Sequence, residues 1–231
     1  MKRDPVKGLA GQEKEETTMD KYRKRRAQLV AHEMVDTLAD KGYITYYAED
    51  LEEAKAKVLE LIPKGASVGV GGSETLKAMD MITTLRNGDY HFFDRYKEGL
   101  HFSEVEEVYR EALLADVFLT STNAITREGH LVNIDSSGNR VAAITYGPRK
   151  VIIVAGVNKV VNTLDDAMRR IKEIAPLNAM RVHHKAPCVE TGKCMNCQIQ
   201  QSVCNAIGII TSGRKTEGRF TIIMVADEVG F

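Results

Sequence analysis

The chain has little of several things that would fix its class at once. Its 231 residues carry no formal net charge, with 32 basic and 32 acidic side chains, so nothing in the global balance calls for nucleic acid or an anionic membrane surface. The longest apolar run, around Val151–Val157, is far too short to span a bilayer. The opening stretch "MKRDPVKGLAGQEKEETTMD" is charged and lacks the hydrophobic segment of a secretory signal. A cytoplasmic protein is therefore expected, in a compartment that disfavours structural disulfides. There is no internal repeat, no low-complexity tract and no domain-sized linker.

What is present is ordinary for a soluble α/β protein: 43% hydrophobic and 28% charged residues. Residues 1–18 are nearly free of large apolar side chains and read as a disordered extension, leaving 19–231 as a single domain. From Asp20, Ala27, Val30, Met34 and Leu38 mark one face of a helix that Gly42 ends. Strand and helix patterns then alternate. "YITYY" precedes a helix capped by Asp50, and "ASVGV" precedes "ETLKAMDMITTLRNG". "YHFFD" precedes a helix with a capping-box spacing at Ser103 and Glu106, and "VFLTS" and "KVIIVAG" follow. "HLVNIDSSGNRVAAITYG" reads as a hairpin turning near Ser136–Asn139. A helix starts at Thr163 and runs to Pro176, and two strands close the chain. This order predicts a three-layer α/β fold with a mostly parallel central sheet, a late hairpin and a Cys-rich insertion over 187–205.

Two stretches are candidates for ligand binding. "SVGVGGSETL" is strand, glycine turn and helix, at the carboxyl end of a strand where open α/β sheets place ligands. It has no Walker lysine, and Glu74 stands where a dinucleotide fingerprint needs its third glycine, so no nucleotide cofactor motif is readable. Gly71, Gly72, Ser73, Glu74 and Thr75 could present backbone amides to an anion, or the glycines could simply make a tight connection. The second stretch, Thr120–Val141, is densely polar. It is a solvated loop, or else Asn123, Asn139 and Arg140 face the glycine turn across a cleft. Glu74 and Asp135 are the carboxylates available for acid–base work.

The four cysteines, Cys188, Cys194, Cys197 and Cys204, fall within seventeen residues as C-x5-C-x2-C-x6-C. A tetrathiolate suits zinc or an iron–sulfur cluster. The spacing matches no common ferredoxin or zinc-ribbon pattern, and a redox pair, a disulfide or inert packed thiols remain alternatives. His183 and His184 are near enough in sequence to substitute as ligands.

"GVGGSETL", "STNAITREGHLVNIDSSGNRVAAITYGPRKVIIVAGVNKVV" and "PCVETGKCMNC…C", in that order, resemble the lactate-utilization (LUD-domain) family over roughly residues 20–231. The resemblance implies a fold similar to ribose-5-phosphate isomerase, glucosamine-6-phosphate deaminase and CoA transferases, with both polar stretches lining a cleft for a small carboxylate or phosphate. It also implies a part in the use of lactate or a related hydroxy or keto acid. The chain would then be an enzyme, or a metal-binding accessory or sensor working beside iron–sulfur and flavin oxidoreductase subunits. An isomerase or transferase is a further alternative by fold analogy alone. The resemblance favours a 4Fe–4S cluster over zinc at the cysteines. The sequence leaves the oligomeric state open.

Overall fold

The computed structural model describes residues 21–231; the extension expected over 1–18 lies outside them. Alternating patterns become α1 (Lys21–Asp40), β1 (Ile44–Ala48), α2 (Leu51–Leu61), β2 (Ser67–Val70), α3 (Glu74–Ala78), α4 (Met81–Asn87), β3 (His91–Phe92) and α5 (Phe102–Ala112). The second half adds β4 (Val117–Thr120), β5 (Ala124–Thr126), β6 (Leu131–Asp135), α6 (Asn139–Thr145), β7 (Lys150–Gly156) and β8 (Val160–Val161). It closes with α7 (Leu164–Arg181), α8 (Pro187–Thr191), β9 (Ala206–Ile210) and β10 (Phe220–Val225).

Six strands form one parallel sheet in the order β1-β10-β7-β4-β2-β3. Its middle strands are mostly apolar because both faces are covered: β7 and β10 are buried almost end to end. One face packs Val68, Leu119, Ile152 and Ile223 under Ala54, Val58, Leu76 and Leu85 of α2, α3 and α4. The other packs Phe118, Ile153, Ile222 and Met224 under Ala31, Met34 and Leu38 of α1 and Ala143 and Ile144 of α6. The expected three-layer α/β architecture is thus present.

A second sheet, β8-β5-β6-β9, was not foreseen. The strand expected near "IGIITS" belongs to it and pairs antiparallel with β6, while β10 inserts between β1 and β7. The late hairpin exists one arm upstream of its expected position. β5 and β6 are its arms, and the expected second arm is the helix α6. The helix wins there because Arg140, Ala143 and Ile144 fall on one buried helical face, and Gly138 takes the left-handed turn that admits it.

Three further boundaries differ. The helix expected over "ETLKAMDMITTLRNG" breaks in two at Asp80, which sits at φ 50°, leaving α3 only five residues long. At α5 the chain turns in one residue before Ser103, and the Glu104 carboxylate accepts the His101 amide at 2.7 Å. α7 does not stop at Pro176 but runs on to Arg181, because Ala175, Pro176 and Ala179 are buried. Burial there outweighs the missing amide of one proline.

Candidate functional site

The parallel sheet has a switch point at β2. The chain leaves β2 for β3 on one side, and β4 lies on the other. Such a point opens a crevice at the carboxyl edge. A cleft of about 650 Å³ occupies it. Gly72, Ser73 and Glu74 enter from the end of β2, Ser121–Asn123 from the end of β4, and Lys159 from just beyond β7. Asp135, Asn139 and Arg140 enter from the second sheet and α6, and Asn178 and Arg181 from the extended end of α7.

The two polar stretches therefore meet in one cleft. Gly72, Ser73, Glu74, Asn123, Asp135, Asn139 and Arg140 all line it. Gly71 and Thr75 sit just beneath. The Gly71 amide is held by the Leu119 carbonyl, and a Cβ at Gly71 would lie 2.5 Å from Thr120 Oγ1. Thr75 is fully buried and donates to the Val229 carbonyl at 3.3 Å. Ser73 caps α3 by accepting the Leu76 amide. A five-residue helix carries little macrodipole, so the turn's use to an anion rests on its amides and on the charges around it.

The guanidinium of Arg140 is turned inward. Nε donates to Asp135 Oδ1 at 2.9 Å, Nη1 to Asn133 Oδ1 and the Ser121 carbonyl, and Nη2 to Asn123 Oδ1, Asp135 Oδ1 and the Ile134 carbonyl. All five N–H groups have protein acceptors, so the guanidinium is engaged by the cleft wall that it lines. Asp135 is equally committed, with Oδ2 accepting the Val141 amide at 2.6 Å. Asn123 Oδ1 also accepts the Ile134 amide. Arg140, Asp135 and Asn123 form one buried network that shapes the cleft wall. Of the two carboxylates singled out, Glu74 is the one left facing the opening, with Arg181 Nε at 3.9 Å and Lys77 Nζ at 3.7 Å.

Sequence reasoning missed the cations that face the cleft. A Cβ built on Gly72 would lie 3.2 Å from Arg181 Nη1 and 3.6 Å from Arg95 Nη1. Two guanidinium groups thus converge on the glycine turn. Burial lowers the pKa of Arg181, and its buried Nε has no hydrogen-bond partner. Arg95 stacks over Tyr109, 4.5 Å from the ring centre. Lys159 is 2% exposed, with Nζ donating to the Phe231 carbonyl at 3.2 Å. Burial first, then the charges of Arg170 and Arg140, pull its pKa down to about 7. Arg95 and Lys159 were findable: each lies a few residues past the end of a parallel strand. Arg181 was not, because a helix stopping at Pro176 ends before it.

The cysteine segment lies against the same wall. A second cavity, about 280 Å³, is lined by all four cysteines. All are free thiols, with Cys188 buried and the others partly so. Cys204 is pushed up to about 11, by burial first and then by its proximity to Cys194, Cys188 and Cys197. Cys204, Val203, Ala175 and Ile134 line both cavities. His184 lines the cleft, with Nδ1 2.8 Å from the Gln201 carbonyl oxygen; neither His183 nor His184 lines the thiol cavity.

Fold and site together define a two-sheet α/β protein with a cation-lined cleft at the carboxyl edge of its parallel strands. The chain belongs to the LUD-domain family, whose model matches residues 31–225. Among solved structures it is similar to a DUF162 family protein from Deinococcus radiodurans, at 16% identity and a TM-score of 0.48, over 86% of this chain and 97% of that one. None of the curated proteins matches it. No helix among the described residues is long and apolar enough to cross a membrane.

Proposed function

We propose that this LUD-domain protein takes part in the use of lactate or a related small hydroxy or keto acid, and holds a small anionic metabolite in the cleft. The observation that supports this reading is the convergence of Arg95 and Arg181 over Gly72. Two like charges are held together over Gly72, which has no side chain, with the one carboxylate of the turn, Glu74, 3.9 Å from Arg181 Nε. Their mutual repulsion is relieved by an anion between them, and guanidinium forks suit carboxylate or phosphate oxygens. Lys159 adds a third cation whose charge changes near neutrality. In this reading Glu74, a carboxylate that lines the cleft, serves as the acid–base group for a bound hydroxy or keto acid.

The test is calorimetric titration of lactate, pyruvate, glycolate and inorganic phosphate into the protein at pH 6.5. Saturable binding of at least one anion is expected, weakened at least about tenfold in Arg95→Gln and in Arg181→Gln. If none of the four binds, or if both variants bind as the wild type does, the reading fails. Conversion of the tightest ligand by wild type but not by Glu74→Gln separates an enzyme from a binding subunit.

A further inference from the structure

The thiol cavity is separate from the anion cleft and carries a chemistry of its own. Cys188 is the second residue of the short helix α8, which packs on the far end of α7 with Ala175, Ala179, Ala186 and Val203. Cys204 returns the chain to the same packing, so two thiols are fixed by a small apolar core. Cys194 and Cys197 close a turn between them. Asn196 there takes φ 48°, and its backbone N–H points at Cys194 Sγ at 3.5 Å. A backbone donor of this kind is a second-sphere contact that a metal-bound sulfur can accept.

The donor set is all sulfur, which selects zinc, iron–sulfur clusters or monovalent copper over oxygen-loving ions. The space decides among them. A single zinc ion at 2.3 Å from each sulfur would draw the thiolates to about 3.8 Å from one another. Here the four cysteines stand round about 280 Å³. Among the described residues, no group of three or more His, Cys, Asp or Glu side chains is already placed to hold a metal ion, so any bound group would have to draw the thiols to itself. A cluster of several iron and sulfide ions holds its cysteines at its corners and fills such a space. Ile134, Met168, Ile171 and Ile207 wall the cavity and would shield a cluster from water.

We propose that Cys188, Cys194, Cys197 and Cys204 hold one iron–sulfur cluster, and that it fixes the Gln200–Asn205 wall of the neighbouring cleft. Each thiol gives its proton to solvent as its sulfur takes an iron. Cys204 belongs to both cavities, while Gln200, Gln201 and Asn205 beside it face the cleft. Filling the thiol cavity therefore orders part of the cleft without touching Arg95, Arg181 or Gly72.

The experiment is iron, zinc and acid-labile sulfide analysis of the full chain purified without oxygen, with a visible absorption spectrum and limited proteolysis before and after chelation. The readout needs no cleft ligand, so it stands or falls apart from the anion reading. Iron and sulfide in equal, stoichiometric amounts, brown colour that bleaches in air, and new cleavage confined to residues 188–205 after chelation are expected. The double variant Cys194→Ser with Cys197→Ser should lose iron to background while keeping the wild-type far-UV circular dichroism spectrum. One zinc per chain without sulfide would overturn the cluster. Absence of metal after anaerobic reconstitution with iron and sulfide, with the segment already resistant to protease, would overturn the site altogether.

Discussion

The two cavities share a wall but are built by opposite means. The cation-lined cleft is held by strand ends of a sheet whose centre is fully buried. Its polar wall is a closed network in which Arg140, Asp135 and Asn123 satisfy one another. The thiol cavity rests on a small cluster around Ala175 and Val203, and Met195 and Ile199 of its loop are exposed. The first is shaped by the fold before any ligand arrives. The second has its four thiols round one cavity but little apolar packing of its own, so a bound group would add to its order.

That contrast is broken most forcefully at Arg140. Removing the guanidinium in Arg140→Ala strands the Asp135 carboxylate in a buried site, which should destabilise the protein by about 3–5 kcal/mol in chemical denaturation. Arg140→Lys should also lower the melting temperature, since one ammonium cannot replace five N–H groups. An Arg140→Lys protein of unchanged stability but lost anion affinity would put the arginine on the ligand instead.

Lys159 sharpens the comparison from the other side, because it is a strain that the rigid cleft carries. The unfolded lysine keeps its proton to about pH 10.4, whereas the folded one gives it up near 7. Between those values the unfolded state binds more protons, so this group makes stability rise with pH from about 7 upward. Lys159→Met should stabilise the protein at pH 6 by about 1–4 kcal/mol, an advantage that shrinks towards pH 10. Anion affinity should fall from pH 6 to pH 8 in the wild type and stay flat in the variant. A pH dependence that survives in Lys159→Met would take it away from this lysine.

The smallest effect belongs to the thiol segment. Cys194→Ser with Cys197→Ser should change global stability by less than about 0.5 kcal/mol, because both side chains lie outside the two main cores. A cooperative loss of the whole fold would contradict the separation of the two regions.

The parts that were legible in the sequence are those with a local signal. Val151–Val154 and Ile222–Val225 read as buried strands because nothing polar interrupts them, and Asp50, Ser73 and Thr163 cap helices as their types suggest. The glycine turn and the Asn123–Arg140 stretch were placed at one sheet edge by strand order alone. What was not legible depends on distant partners. Residues 139–145 hold enough Val, Ile and Thr to pass for a strand until Ala143 and Ile144 are seen against the sheet. Pro176 looked like a stop because its burial beside Ala175 and Ala179 is a tertiary fact. The direction of the Arg140 guanidinium is of the same kind. Its neighbours in sequence suggest an open loop, and its acceptors come from two other segments, 121–123 and 133–135.

The measurement that bears most directly on the cleft is the affinity of Gly72→Val for whichever of lactate, pyruvate, glycolate or phosphate the wild type binds best. A side chain at this position meets only the far ends of Arg181 and Arg95, which can shift, so the protein should fold with a wild-type far-UV spectrum. The branched side chain would nevertheless occupy the point where the two guanidinium groups converge. The account predicts a loss of affinity of at least about tenfold in a protein of near wild-type stability. Unchanged affinity in the folded variant would contradict it, and would move the anion away from Gly72, Arg95 and Arg181.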